Sequence, residues 1–331
     1  MHILIFTTGT IPALKYGGTQ RVVWGLGKAL LRQGHRVTYL AEAGSVCDFA
    51  PVRVYDPARP LGTQIPEGVD LVHLHQPLYG ELTEGTPFVY TEHTNSGAGR
   101  ELPFNTVFLS RNHAARHGSE TFVYNGLEWD EYGTPDLRNA RSYYHFLGNA
   151  AWRVKNVRGA IDVVRGMTGG RLVVLGGHRF NFKMGMRFTF SPKIRFVGMV
   201  GGEEKLRWLS GSKGLIFPVR WHEPFGLALI ESLYFGSPVF GTPYGSLPEL
   251  VPPEVGFLSA GCPELRRAAS EADGYSRPMC HDYAREMFSA DRMAAGYVAC
   301  YERVLNGERL NADRPIFRQT ADEGKFLPWE R

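Results

Sequence analysis

Two kinds of hydrophobic pattern recur along the chain. Short apolar runs, rich in β-branched and aromatic residues, alternate with longer stretches whose apolar positions follow helical spacing. Runs of the first kind predict strands at His2–Thr8, His35–Ala41, Val52–Tyr55, Asp70–His75, Phe88–His93, Thr106–Ser110 and Thr121–Tyr124. Between the first two, Thr19–Arg32 places Val22, Val23, Leu26, Leu30 and Leu31 on one helical side, and Gly34 stops it. A second series predicts strands at Tyr143–Leu147, Arg171–Leu175, Lys193–Val197, Leu215–Val219 and Val239–Gly241. Its helices are Asn156–Arg165, Glu203–Ser210, Leu227–Phe235 and Ala290–Leu305. Such alternation builds parallel sheets with helices on both faces. The polar stretch Glu128–Arg141, broken by Gly133 and Pro135, separates the two series. The expectation is an α/β chain of two Rossmann-like domains, 1–138 and 139–310, facing across a cleft. A polar tail, 311–331, is a candidate to pack back on the first domain.

The most informative stretch is His222-Glu223-Pro224-Phe225-Gly226-Leu227-Ala228-Leu229-Ile230-Glu231. A short apolar strand runs into a Pro-Phe-Gly turn and then a helix. A helix start presents backbone N–H groups, which suits phosphate. Carboxylates before the helix and on its second turn are placed to hold two different parts of one bound molecule.

Glu223 to Glu231, continued by Ser232-Leu233-Tyr234-Phe235-Gly236-Ser237-Pro238-Val239-Phe240-Gly241-Thr242-Pro243, resembles the signature of retaining glycosyltransferases of family 4, which have the GT-B fold. The resemblance implies a nucleotide-sugar donor, with Glu223 on the sugar, the amides of Phe225, Gly226 and Leu227 on the diphosphate, and Glu231 on the ribose. It also gives parts to residues elsewhere. Gly17 and Gly18, in the loop after the first strand, are similar to a Gly-Gly loop near the diphosphate, and Thr19 is a candidate helix cap. His93, at a strand end, is similar to the active-site His of the first domain, expected opposite Glu223. The family shows Gly-Arg and then Lys after the first strand of the second domain. Here Asn149 stands where Arg is usual, Lys155 fits the Lys, and Arg153 is a substitute for the missing Arg. His75, also at a strand end, is a weaker candidate for the acceptor side, and His73, on the opposite strand face, reads as a core residue.

Composition narrows the rest. The chain has 331 residues, 43% hydrophobic and 21% charged, with formal net charge +4. That is the profile of an ordinary globular protein long enough for two domains. No Lys/Arg-rich tract marks a nucleic-acid partner. Cys47, Cys262, Cys280 and Cys300 show no C-x-x-C spacing and read as reduced thiols, which points to the cytoplasm. No apolar run is long enough to span a membrane. Lys28, Arg32 and Arg36 are candidates for peripheral contact with anionic lipid, weighed against a solvated helix face. G-x-G-x-x-G is absent after the first strand, against a nicotinamide enzyme. His75 with His93 lacks a third ligand at useful spacing, and no D-x-D is present, so neither metal nor cofactor is expected. The expected function is retaining, metal-independent transfer of a sugar, UDP-glucose or a close relative as donor, to a hydroxyl acceptor. The competing reading is a non-catalytic sugar-nucleotide-binding or scaffolding protein, which Asn149 keeps open.

Overall fold

A computed structural model describes residues 1–13, 17–182, 186–317 and 326–331. Its strands are β1 (His2–Phe6), β2 (Arg36–Ala41), β3 (Val52–Val54), β4 (Leu71–Leu74), β5 (Phe88–Thr91), β6 (Thr106–Val107), β7 (Tyr143–Leu147), β8 (Leu172–Leu175), β9 (Phe180–Asn181), β10 (Arg187–Phe188), β11 (Ile194–Phe196), β12 (Ser212–Phe217), β13 (Val239–Gly241) and β14 (Gly256–Leu258). Its α-helices are α1 (Gly18–Arg32), α2 (Arg111–Ala115), α3 (Val157–Arg165), α4 (Gly202–Ser210), α5 (Leu227–Tyr234), α6 (Leu247–Leu250), α7 (Cys262–Ser270), α8 (Arg277–Met287) and α9 (Ala290–Leu305).

The chain divides into two compact units, Met1–Trp129 with Phe288–Gln319, and Asp130–Met287 with Thr320–Arg331. These are not the contiguous domains 1–138 and 139–310 read from the sequence. Helix α9 packs along α1 and β5 in the first unit, and its Tyr297 and Tyr301 are fully buried there. Helical periodicity says that a face must be covered but not by what, so pattern alone gives an element late in the chain to the nearer domain. The tail also divides. Leu102 donates its N–H to Pro315 O and Ile316 donates to His117 O, along the first unit. Cys262 donates to Glu330 O, and Glu330 to Ala260 O, along the second.

In the first unit six strands pair in the order β3-β2-β1-β4-β5-β6, all parallel. Ile3, Leu4, Ile5 and Phe6 are wholly buried, as a central strand covered on both faces requires. In the second unit the order is β11-β8-β7-β12-β13-β14, again all parallel. Each sheet reverses its winding beside its first strand, at β1/β4 and at β7/β12. Ligands of doubly wound sheets bind outside the strand C-termini at such a reversal. A separate two-stranded antiparallel pair, β9 with β10, follows β8.

Two sequence expectations change. Residues 121–124 form no strand: Phe122 makes an isolated bridge with Phe108. Thr19 lies inside α1, and Gly17 occupies the cap position without a side-chain bond.

Candidate active site

The site is built at the winding reversal of the second sheet, from the loops after β7 and β12. Asn156 joins them. It takes the left-handed conformation, φ 54°, caps α3 by accepting from the Gly159 N–H at 3.0 Å, and donates through Nδ2 to Pro218 O at 2.9 Å. Asparagine tolerates this conformation better than most residues. The Arg220 N–H donates to Val154 O at 2.7 Å, closing the two loops on each other.

This closure brings Lys155 to Glu223. The ammonium lies 2.6 Å from Oε2 of Glu223, and the Trp221 indole N–H donates to the same oxygen at 2.8 Å. Glu223 is 6% exposed. The Lys155 ammonium also stands 5.0 Å from the Trp221 ring centre and 5.3 Å from that of Phe217. A cation against two aromatic faces and one carboxylate is held in one place.

The corner after Glu223 is fixed by the loop that follows β13. Ser246 donates its N–H to Glu223 O at 2.9 Å and its hydroxyl to Phe225 O at 2.6 Å. Gly245 makes that approach possible: its φ is 66°, and a Cβ there would fall 2.2 Å from the Glu223 nitrogen. Gly226, φ 89°, then turns the chain into α5, so Phe225, Gly226 and Leu227 sit at the helix start. At the other end of α5, Arg141 donates to Phe235 O at 2.6 Å and Gly236 O at 3.0 Å, supplying partners for carbonyls that a helix end leaves over. Burial, with Arg277 nearby, pushes the Arg141 guanidinium down to about 10.

Glu231 is 1% exposed. Its Oε1 accepts from the Lys205 ammonium and from the Tyr132 hydroxyl, each at 2.6 Å. Neither partner was foreseen. Lys205 did carry a signal, because it sits one turn before the buried Leu209 on the covered face of α4. Tyr132 lies in the polar stretch Glu128–Arg141 that separates the two series of elements, and nothing local marks it.

Asn149 acts locally: its side-chain oxygen accepts from the Ala151 N–H at 3.0 Å. Arg153 is exposed, with its guanidinium 4.7 Å from the Phe326 ring centre. It lines a cavity of about 480 Å³ together with Arg158, Arg187, Arg220 and Arg331.

In the first unit, the ends of β4 and β5 gather three histidines. Nδ1 of His75 and Nε2 of His93 share a hydrogen bond at 2.8 Å, and the rings stack at 5.1 Å. His73 is fully buried, with Nδ1 at 2.7 Å from the Tyr301 hydroxyl and Nε2 at 2.8 Å from the Thr91 hydroxyl. That is the core role expected of it. Among the described residues no third metal-ligating side chain joins His75 and His93. Gly17 and Gly18 lie at the start of α1, and residues 14–16 of their loop are outside the described residues. Arg32 is bound at 2.8 Å to Glu128 and at 2.9 Å to Asp291, so its charge is already paired within this unit.

Burial pushes His73 and His113 down to about 3 and His93 to about 4, and neighbouring histidines add to the first two. The folded chain therefore keeps these rings neutral where the unfolded chain protonates them, near 6.5. The unfolded state then binds more protons, so stability is present above about pH 6.5 and falls as pH drops from there towards about 4. Each fully shifted ring contributes a slope of up to about 1.4 kcal/mol per pH unit. Urea midpoints measured down this range should begin to fall near pH 6, above the carboxylate range. A midpoint flat to about pH 5 would refute it.

Residues 141–271 match the family model described as Glycosyl transferases group 1, and this stretch is a glycosyltransferase-family domain. Over 125 residues the chain is 28% identical to a glycogen synthase of Deinococcus deserti, a match covering 35% of this chain and 28% of that protein. Among solved structures it is similar to AviGT4, a glycosyltransferase involved in avilamycin A biosynthesis, with TM-score 0.77, 22% identity, and coverage of 92% of this chain and 98% of that one. It is also similar to a sucrose-phosphate synthase of Thermosynechococcus elongatus, with TM-score 0.70, 16% identity, and coverage of 93% and 100%. A third is the Anabaena protein HepE in complex with UDP and glucose, with TM-score 0.65, 14% identity, and coverage of 91% and 99%. The shared fold is GT-B.

Proposed function

We propose that this chain, with its group 1 glycosyltransferase domain, transfers a sugar from a nucleotide-sugar donor, a UDP-sugar, to a hydroxyl acceptor with retention of configuration and without an obligatory metal. The observation that carries the reading is the Lys155–Glu223 pair beside the Phe225-Gly226-Leu227 helix start, at the winding reversal of the second sheet. A lysine ammonium has three N–H donors and gives one to Glu223. Aimed at a diphosphate, the remainder stabilise the negative charge that grows as the glycosidic bond breaks.

In this reading Glu223 takes hydroxyls of the donor sugar. The helix-start amides and Lys155 take the diphosphate, Arg153 supplements them, and Gly17 and Gly18 approach from their loop. Glu231 takes the ribose hydroxyls, with Tyr132 and Lys205 fixing its orientation. His93 is assigned to the donor sugar and His75 to the acceptor side. The departing diphosphate accepts the acceptor's proton on the face it leaves, so the new bond forms where the old one broke. The protein supplies alignment and charge rather than a nucleophile.

A panel of UDP-, GDP- and ADP-sugars, assayed for release of the nucleoside diphosphate with and without magnesium, tests this. Release from at least one UDP-sugar in chelator is expected. Nucleotide binding without turnover of any donor, across a range of hydroxyl acceptors, would favour a binding protein of the same fold.

A further inference from the structure

The antiparallel pair β9/β10 is built with its polar and apolar faces reversed. Successive strand residues point to opposite sides. In this hairpin the side turned to the protein carries Arg187 and Thr189, 6% and 7% exposed. The other side carries Phe180, Phe182, Phe188 and Phe190, which are 47%, 71%, 49% and 77% exposed, and Met186 beside them is 66% exposed. The four rings form one connected group: Phe180 lies 6.0 Å from Phe188 and 5.7 Å from Phe190, and Phe182 lies 5.7 Å from Phe188.

The rings are also mounted on pinned backbone. Arg187 donates to His178 O at 2.8 Å and to the Thr189 hydroxyl at 3.0 Å, and its guanidinium lies 4.6 Å from the Phe196 ring centre. Arg179 donates to Thr189 O and Ile194 O, both at 2.7 Å. Arg158 donates to Met186 O. Contiguous exposed apolar surface of this kind marks an interaction site.

The surroundings select the partner. Asn181, Met186 and Arg187 of the hairpin form one wall of a cavity that Arg158, Arg220 and Arg331 also line, Arg331 being paired with Asp162 at 3.5 Å, and no Asp or Glu is among its described lining residues. Aromatic rings bordered by arginines fit a bilayer interface, where rings sit at headgroup depth and guanidinium groups meet lipid phosphate. We propose that this hairpin seats the chain on an anionic membrane surface. This contact lies in the second unit; Lys28, Arg32 and Arg36, candidates for which a solvated helix face is the stronger reading, belong to the first.

Flotation of the full chain with phosphatidylcholine vesicles, with and without phosphatidylglycerol, tests the proposal and needs no sugar donor. The chain should float with the anionic vesicles and less so at high salt. The double substitution Phe182→Ser with Phe190→Ser should weaken this about tenfold or more. Both side chains stand in solvent, so the thermal melt should not move. Equal partition onto both vesicle types, or binding untouched by the double substitution, would overturn it. So would sedimentation of the native chain as a dimer that the substitutions dissociate, with no vesicle binding, since a second copy would then cover the rings.

Discussion

Replacing Glu223 with alanine should lower the rate of sugar transfer at saturating donor about a hundredfold or more while nucleotide alone still binds. The Glu223 carboxylate holds the Lys155 ammonium at 2.6 Å and the Trp221 indole at 2.8 Å, so the change loosens the cation and, on the proposed reading, also removes a contact to the sugar. Removing one preorganised charge-stabilising group costs roughly a hundredfold to a thousandfold in rate. Glu223→Gln separates the two contributions. The amide oxygen keeps an acceptor for Trp221 but gives up the charge that anchors Lys155, so its rate should fall between those of the native and alanine forms. Initial rates over a donor titration, with calorimetry of UDP binding, read both. A loss confined to donor affinity, with the maximal rate unchanged, would mean that Glu223 binds ground state and transition state equally and has no part in the chemical step.

Lys205→Met should destabilise the second unit by about 3–5 kcal/mol, the range for stripping one member from a buried ion pair. The change leaves the carboxylate of Glu231, 1% exposed, without its ammonium. The Tyr132 hydroxyl, a neutral donor at 2.6 Å, does not replace a charge. Replacing both partners, Lys205→Met with Glu231→Leu, should recover much of the stability, because a hydrophobic pair of similar volume carries no desolvation cost. The double form should nevertheless lose nucleotide affinity if Glu231 meets the ribose. Urea unfolding of the three proteins tests the energetics. A single substitution costing less than about 1 kcal/mol would show that the stability of this unit does not depend on the Lys205–Glu231 pair.

The parts of the fold that could be read from the chain are those set by local pattern. β1, β7 and β13 are short apolar runs between turn residues, and α9 has its full length in its own periodicity. The Glu223–Glu231 corner was legible because a strand, a turn and a helix lie within one stretch. What escaped reading depends on distance along the chain. Arg141 reaches the end of α5 at Phe235 and Gly236, and Lys205 reaches Glu231, and neither pairing has a spacing that repeats. α7 and α8 carry few apolar residues, only Cys262, Leu265 and Ala269 being buried in the first and Cys280 and Ala284 in the second, so their stripes are weak. The alternating phenylalanines of β9/β10 are plain in the sequence. The usual rule, which turns such a face inward, would have placed them on the wrong side.

The first unit is assembled from two distant stretches of chain, and this sets an order of events during synthesis. Tyr297 and Tyr301 complete the hydrogen bonds of Thr91 and His73. A nascent chain emerging from the ribosome cannot satisfy those groups until α9 is out. The second unit's sheet, Tyr143 to Leu258, is available earlier. The half that is translated first is therefore the half that finishes last, and its incomplete hydrophobic surface is what a chaperone would meet in the interval.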